Sequence, residues 1–134
     1  MLGLDSNILL RHLLQDDAVQ SPTATQFIHS QCSANRPGFV SFVVLIEMLW
    51  TLRRGYGFRR DALEVAVSDL LESEELLLEN EELISEALDI AKRHKLDIPD
   101  VLISLINRSH GCSETISFDK SLVEARLARS PTYP

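Results

Sequence analysis

Short apolar runs alternate along the chain with longer segments in which apolar residues recur every three or four positions. The short runs predict strands, and the longer segments predict amphipathic helices. We expect strands ending at Asp5 and over residues 39–40, 75–79 and 114–117. The helices are expected over residues 6–14, 22–32, 42–54, 60–71, 81–93, 98–109 and 121–127. This alternation predicts an α/β fold with a parallel sheet and helices on both faces.

Several predicted helices begin after a residue of a type that commonly caps helices. Ser21 precedes Pro22, which is typical of a first helical turn. Ser41, Asn80 and Asp97 hold the corresponding positions before three later helices. We therefore expect these side chains to accept hydrogen bonds from the unpaired N–H groups of the first turn.

The length of 134 residues, with 45% apolar and 25% charged residues, fits one globular domain spanning residues 1–134. No segment resembles a signal peptide, and the longest apolar segment, residues 39–46, is too short to cross a bilayer. We therefore expect a cytoplasmic protein without a membrane partner. Cys32 and Cys112 lack zinc-site spacing, and we expect reduced, partly buried thiols.

The formal net charge of −7 disfavours a non-specific nucleic-acid binder, because such proteins are usually basic. The charge does not exclude a nuclease, because metal ions bound by carboxylates would neutralise much of it locally.

Two isolated acids follow predicted strands. Asp5 ends the first apolar run, and Asp119 follows residues 114–118 in the same way. Side chains at the carboxyl end of a parallel strand face the crevice where α/β sheets bind ligands. The alternative is that each acid, or Ser6 in the first case, simply caps the following helix.

Two further acids lie in apolar surroundings. Glu47 is preceded by four apolar residues and followed by three, and a buried carboxylate needs a cation or a metal as its partner. A salt bridge to Arg53 or Arg54, or a narrow exposed edge, would explain Glu47 equally well. Asp100 leads into an apolar run, so we expect its turn to be inserted against the core, whereas capping fully explains Asp97.

These four acids match the needs of metal-assisted phosphodiester hydrolysis. Carboxylate oxygens are hard ligands that suit Mg²⁺ or Mn²⁺. Such an ion activates water and stabilises negative charge on a phosphate. We therefore expect the four to meet at one site: Asp5, Glu47, Asp100 and Asp119.

Four segments together resemble, in order and spacing, the motifs of PIN-domain proteins, and most closely those of VapC toxins from bacterial VapBC toxin–antitoxin pairs. The segments are residues 3–7, 40–47, 97–103 and 116–119. The resemblance covers essentially the whole chain. It implies a PIN fold, a three-layer α/β/α sandwich whose central parallel sheet gathers the acids at its carboxyl edge.

The resemblance also implies an endoribonuclease that depends on Mg²⁺ or Mn²⁺ and uses an activated water. Asp5 and Asp100 would bind metal directly, and Asp119 directly or through water. Glu47 would help to hold the metal or orient the water. Two polar residues would support the site, Asn7 and Ser117.

The implied partners are an RNA substrate, a second copy of the chain in a homodimer, and a VapB-type antitoxin that inhibits the enzyme. DNA would be contacted only through the antitoxin. One alternative is a PIN-domain binding module that helps its antitoxin to regulate an operon with little nuclease activity. A further alternative is an unrelated α/β domain whose acids are caps and salt-bridge partners.

Overall fold

The computed structural model describes residues 1–132 and divides the chain into two compact units, Met1–Glu81 and Glu82–Pro134. The first unit contains the sheet and its crossover helices. Its elements, in chain order, are β1 (Leu2–Gly3), α1 (Ser6–Leu14), α2 (Gln20–Gln31), β2 (Gly38–Val40), α3 (Phe42–Trp50), a π-helical turn (Thr51–Gly55), α4 (Arg60–Glu72) and β3 (Leu76–Leu78).

The three strands form a parallel sheet in the order β1-β2-β3. Leu2 is in register with Gly38, which is in turn in register with Leu76. Parallel neighbours need a crossover between them. Helices α1 and α2 supply the first crossover, and α3 and α4 supply the second. The alternation of strands and helices around a parallel sheet confirms the predicted α/β class.

The centre of the sheet is tightly packed at Gly38. A Cβ atom at this position would lie 2.6 Å from Leu4 Cδ1 and 3.1 Å from Cys32 Sγ. Leu4 and Cys32 are themselves buried. A glycine is therefore required here by close packing, not by backbone conformation. Cys32 is a buried free thiol, as expected, whereas Cys112 is exposed, contrary to the prediction of partial burial.

Helix α3 is capped by two side chains at its start. Ser41 Oγ accepts a hydrogen bond from Val44 N at 3.2 Å, as predicted, and Glu79 Oε1 accepts one from Phe42 N at 2.9 Å. Regular α-helix ends at Trp50, and the predicted remainder of the helix is the π-helical turn.

The start of α2 differs from the prediction. Ser21 does not cap the helix, which begins at Gln20, two residues before the predicted start at residue 22. The carboxylate of Asp17 instead accepts hydrogen bonds from Val19 N at 3.0 Å and Gln20 N at 2.7 Å. Ser21 Oγ is buried and accepts from Asp17 N at 3.2 Å. The Asp17 side chain therefore caps the start of α2, and the Ser21 side chain in turn holds the backbone of Asp17.

Two histidines join α1, α2 and the segment before β3. Nδ1 of the half-buried His12 lies 2.8 Å from Thr25 Oγ1, and its ring meets the ring of His29 edge-on at 5.8 Å. His29 Nδ1 lies 2.8 Å from Glu75 Oε2. Burial, and secondly the nearby charge of His29, lower the pKa of His12.

The second unit is mainly helical, with α5 (Glu81–His94), α6 (Ile98–Ser109) and α7 (Lys120–Glu124). The predicted strand over residues 114–117 is wrong. Among residues 1–132 this segment forms only one isolated parallel bridge, between Ile116 and Arg129. The last helix ends at Glu124, earlier than predicted, because Arg126 adopts a left-handed backbone with φ of 61°.

Asn80 and Asp97 stand immediately before α5 and α6, as predicted. The Asp97 side chain does not cap α6; its carbonyl oxygen closes the first turn by accepting from Asp100 N at 3.1 Å. No helix within residues 1–132 has both the length and the apolar character needed to span a membrane.

Candidate active site at the carboxyl edge of the sheet

Polar side chains follow all three strands at the carboxyl edge of the sheet. Asp5 comes shortly after β1, Ser41 directly after β2 and Glu79 directly after β3. Ser41 and Glu79 are both used to cap α3. Helix α3 carries Glu47, so these two caps fix the start of the helix that presents a candidate acid at this edge.

Asp5 caps α1 with one carboxylate oxygen and leaves the other available. Its Oδ1 accepts a hydrogen bond from Ser6 N at 2.7 Å. Oδ2 has no hydrogen-bond partner within residues 1–132, and the residue is exposed. The capping interpretation is therefore correct for Asp5, and it does not compete with a role in ligand binding.

Ser6 joins Asp5 to Glu47. Ser6 is only 5% exposed, and its hydroxyl donates a hydrogen bond to Glu47 Oε1 at 2.7 Å. Its backbone N–H is the group held by Asp5. One buried serine thus positions two carboxylates that are 42 residues apart in sequence. Through Ser6 the structure connects Asp5 and Glu47, two of the four acids that the sequence predicts at one site.

Glu47 itself is exposed, so the expected cost of burying it does not arise. Among the described residues it forms no salt bridge to Arg53 or Arg54. Arg53 Nη1 donates to the carbonyl oxygen of Phe58 at 3.0 Å, and the Arg54 guanidinium lies over the Trp50 ring. The exposed-edge interpretation of Glu47 is correct, and Ser6 is its hydrogen-bond partner.

Ser6 and Glu79 are the two residues whose roles sequence reasoning missed. A hydroxyl directly after a strand-end acid was the available signal for Ser6, but its partner lies on another helix. Glu79 follows β3 in the way that Asp5 follows β1, and this repeated placement could have identified it. Asn7, predicted as a supporting residue, is exposed on the first turn of α1.

The second unit holds the other two acids. Asp100 lies in the first turn of α6, half-buried between the buried residues Pro99 and Val101. This position agrees with the prediction of a turn inserted against the core. A carboxylate in a first turn is also stabilised by the positive end of the helix dipole.

Asp119 caps α7, and Ser117 supports it. Asp119 Oδ1 accepts hydrogen bonds from Ser121 N at 2.9 Å and Leu122 N at 3.2 Å. Ser117 Oγ accepts from Asp119 N at 3.0 Å. Asp119 therefore repeats the arrangement of Asp5, with one oxygen in a cap. Its Oδ2 has no hydrogen-bond partner within residues 1–132.

The donor atoms suit a hard divalent cation, because the candidate ligands are carboxylates and include free oxygens on exposed side chains. Within residues 1–132, however, no group of three or more His, Cys, Asp or Glu side chains is close enough together to hold a metal ion. The first unit supplies the hydrogen-bonded set of Asp5, Ser6 and Glu47. The second supplies Asp100 and the pair formed by Ser117 and Asp119.

Two comparisons with known proteins bear on these residues. The sequence profile of the PIN domain matches residues 3–127, a range that includes all four candidate acids. The chain is also similar to a VapC ribonuclease of Aquifex aeolicus (strain VF5). The two sequences are 26% identical over 117 residues, which cover 87% of this chain and 86% of the relative.

Proposed function

Since the chain belongs to the PIN-domain family, we propose that it is an endoribonuclease that depends on Mg²⁺ or Mn²⁺ and acts as the toxin of a toxin–antitoxin pair. The similarity to a protein named VapC ribonuclease supports the reaction class. We further propose that the two compact units together form one PIN domain, because a single profile extends across both.

The observation that carries the proposal is the hydrogen-bonded set of Asp5, Ser6 and Glu47 at the carboxyl edge of the sheet. Two carboxylates held by one residue repel each other, and a divalent cation relieves that repulsion. A purely structural role would not require Glu47, whose exposed carboxylate has no cation partner within residues 1–132.

The residues have distinct roles in this proposal. Asp5, Asp100 and Asp119 would hold the metal, and the caps on Asp5 and Asp119 fix one oxygen of each carboxylate. When bound, the cation would supply an activated water and offset negative charge on the scissile phosphate. Glu47, with Oε1 held by Ser6, would orient water through its other oxygen.

An apolar pocket beside Asn7 supports the proposed antitoxin partner. Exposed Val19 and Phe27 border this space of about 360 Å³ between α1 and α2, together with Ile8 and Arg11. An amphipathic antitoxin segment would place apolar side chains here. A basic side chain on the same segment would reach the acidic edge that begins at Asp5, and the charges would be complementary. A homodimer is also part of the proposal.

The test is RNA cleavage by purified, antitoxin-free protein with Mg²⁺ or Mn²⁺, and with excess chelator. Asp5→Asn should abolish cleavage, because the amide oxygen still caps α1 while the negative charge is lost. Asp69→Asn, at an exposed position on α4, is the matched control for the same change of charge and should cleave like the wild type.

Full activity of Asp5→Asn, or undiminished activity in chelator, would refute the proposal. If folded, metal-loaded wild type cuts nothing in a panel of cellular RNAs, growth on expression without the antitoxin decides the question. Growth arrest would show that the panel lacked the substrate. Normal growth would favour a binding module that acts only with its antitoxin.

A further inference from the structure

Basic residues in the first unit are concentrated in one segment. Residues 53–60 contain four of the 13 Lys and Arg residues of the chain, although its formal net charge is −7. The segment also contains two aromatic residues and begins three residues after Trp50. It spans the π-helical turn after α3 and the start of α4. We call the following residues the arginine–aromatic surface: Trp50, Arg54, Tyr56, Arg59 and Arg60.

Of the two aromatic members of the arginine–aromatic surface, Tyr56 is exposed and Trp50 is half-buried. The Arg54 guanidinium lies 4.2 Å from the centroid of the Trp50 ring, a cation–π contact that orders both side chains. Tyr56 is 45% exposed, in a turn where Gly57 has a φ of +69°. An exposed aromatic ring next to an ordered guanidinium offers flat faces on which a base can stack.

The charged members of the surface lack carboxylate partners in the described part of the chain. Within residues 1–132, the guanidinium groups of Arg54, Arg59 and Arg60 form no ion pair with a carboxylate. Arg59 and Arg60 also stand at the N-cap and first position of α4, where the helix dipole disfavours positive charge. This arrangement weakens the fold slightly, and such local conflicts typically occur at functional positions.

The arginine–aromatic surface meets the helical face of Glu47 at Trp50. Trp50 and Thr51 follow Glu47 at intervals of three and four residues, which is the spacing of one face of α3. The Thr51 hydroxyl donates to the carbonyl oxygen of Glu47 at 2.8 Å. At about 1.5 Å of rise per residue, Trp50 lies roughly 5 Å along the axis of α3 from Glu47. The Arg54 guanidinium lies over the Trp50 ring, which connects it to this face.

We propose that the arginine–aromatic surface binds single-stranded RNA next to the cleavage position, an inference that rests on the proposed ribonuclease function. Arg54, Arg59 and Arg60 contact phosphates, while Tyr56 and the Arg54–Trp50 pair stack on unpaired bases. Phosphate contacts position an RNA strand without reading its sequence. Stacking requires bases that are not already paired within a duplex. The surface therefore selects unpaired RNA and leads the strand towards Glu47.

Binding is measured by fluorescence anisotropy with labelled oligoadenylate in excess chelator, so that no RNA is cleaved. The main variant is Arg59→Gln with Arg60→Gln. Its control is Lys92→Gln with Arg93→Gln, an adjacent exposed basic pair in the last turn of α5. Both double variants change the net charge by the same amount. Only Arg59→Gln with Arg60→Gln should weaken binding. In this variant the slope of log Kd against the logarithm of the salt concentration should decrease by roughly 1.4, because two phosphate contacts are lost.

Tyr56 is tested separately by replacing its ring. Tyr56→Ala should weaken binding of oligoadenylate about thirtyfold, the middle of the range for one lost stacked base. Tyr56→Phe retains the stacking face and should bind like the wild type. A duplex of oligoadenylate with oligouridylate offers no unpaired base, so Tyr56→Ala should leave duplex binding unchanged.

Several results would overturn the inference: no binding of oligoadenylate by the wild type, equal losses in the two double variants, or equal losses in Tyr56→Ala and Tyr56→Phe. A change of molar mass in light scattering without a change in RNA affinity would identify the surface as an interface between copies and would also overturn it. Binding through the surface by a protein that cleaves nothing and allows normal growth on expression without the antitoxin would refute the ribonuclease proposal alone. Normal cleavage and binding by the surface variants would refute this inference alone.

Discussion

Replacing Ser6 by alanine tests whether the link between Asp5 and Glu47 has a chemical purpose. The substitution removes only the hydroxyl that donates to Glu47 Oε1 at 2.7 Å. The backbone N–H that Asp5 accepts from is retained, so the cap of α1 should remain. Alanine also fits at this buried position without steric conflict, because it is smaller than serine.

The structure predicts a small loss of stability and a larger loss of activity. A hydrogen bond to a charged group stabilises a protein by about 1.5–3 kcal/mol. Glu47 is exposed, so water replaces the lost donor, and we expect a cost of about 1 kcal/mol or less. Activity depends on the orientation of Glu47, and loss of a residue that orients such a group typically costs about 10–100-fold.

The assay compares kcat for RNA cleavage at saturating metal with the free energy of unfolding in urea. Ser6→Thr keeps the hydroxyl and should restore most of kcat. Glu47→Gln combined with Ser6→Ala should be no less active than Glu47→Gln alone, because Ser6 acts through Glu47. Additive losses in the double variant, or wild-type kcat in Ser6→Ala, would refute this reasoning.

Two further predictions concern the first unit. Gly38→Ala should lower the free energy of unfolding in urea by about 1–3 kcal/mol, because the added Cβ overlaps Leu4. Gly3→Ala, which meets no atom within 4 Å, should be nearly neutral, and equal losses would contradict this explanation. The pKa of His12 lies below its ordinary value of 6.5, so the folded state binds fewer protons than the unfolded state and stability should fall as the pH drops through 6.5. His12→Gln should reduce that fall in urea titrations between pH 7 and 5, and an unchanged pH slope would contradict the assignment.

Local signals were sufficient to predict most elements of the first unit. The apolar spacing of residues 60–71 predicted a helix, and the structure has α4 there. The hydroxyl of Ser41 predicted a helix cap, and it accepts from Val44 N. Both signals depend only on neighbours in sequence. The wrong strand over residues 114–117 shows the limit of such signals. A strand needs a partner of matching length, and residue 129 supplies only one bridge.

The candidate acids could be selected from the sequence, but their contacts could not. Asp5 and Asp119 were selected as acids after predicted strands, although residues 114–117 form only one bridge, and the capping bonds of both acids were foreseen as an alternative. The bond from Ser6 to Glu47 spans 41 residues and exists only after β1 and α3 are brought together. Its geometry depends on tertiary packing, which no local pattern encodes.

The order of the two units along the chain has a consequence during synthesis. All three strands and the set of Asp5, Ser6 and Glu47 lie within residues 1–81. Asp119 is added 38 residues after Glu81. At a translation rate of about 5–20 residues per second, this delay is roughly 2–8 s. The nascent chain therefore carries Asp5 and Glu47, but neither Asp100 nor Asp119, for part of its synthesis on the ribosome. Under the proposed function, a growing polypeptide with half of its acidic set would not cleave the RNA that surrounds it there.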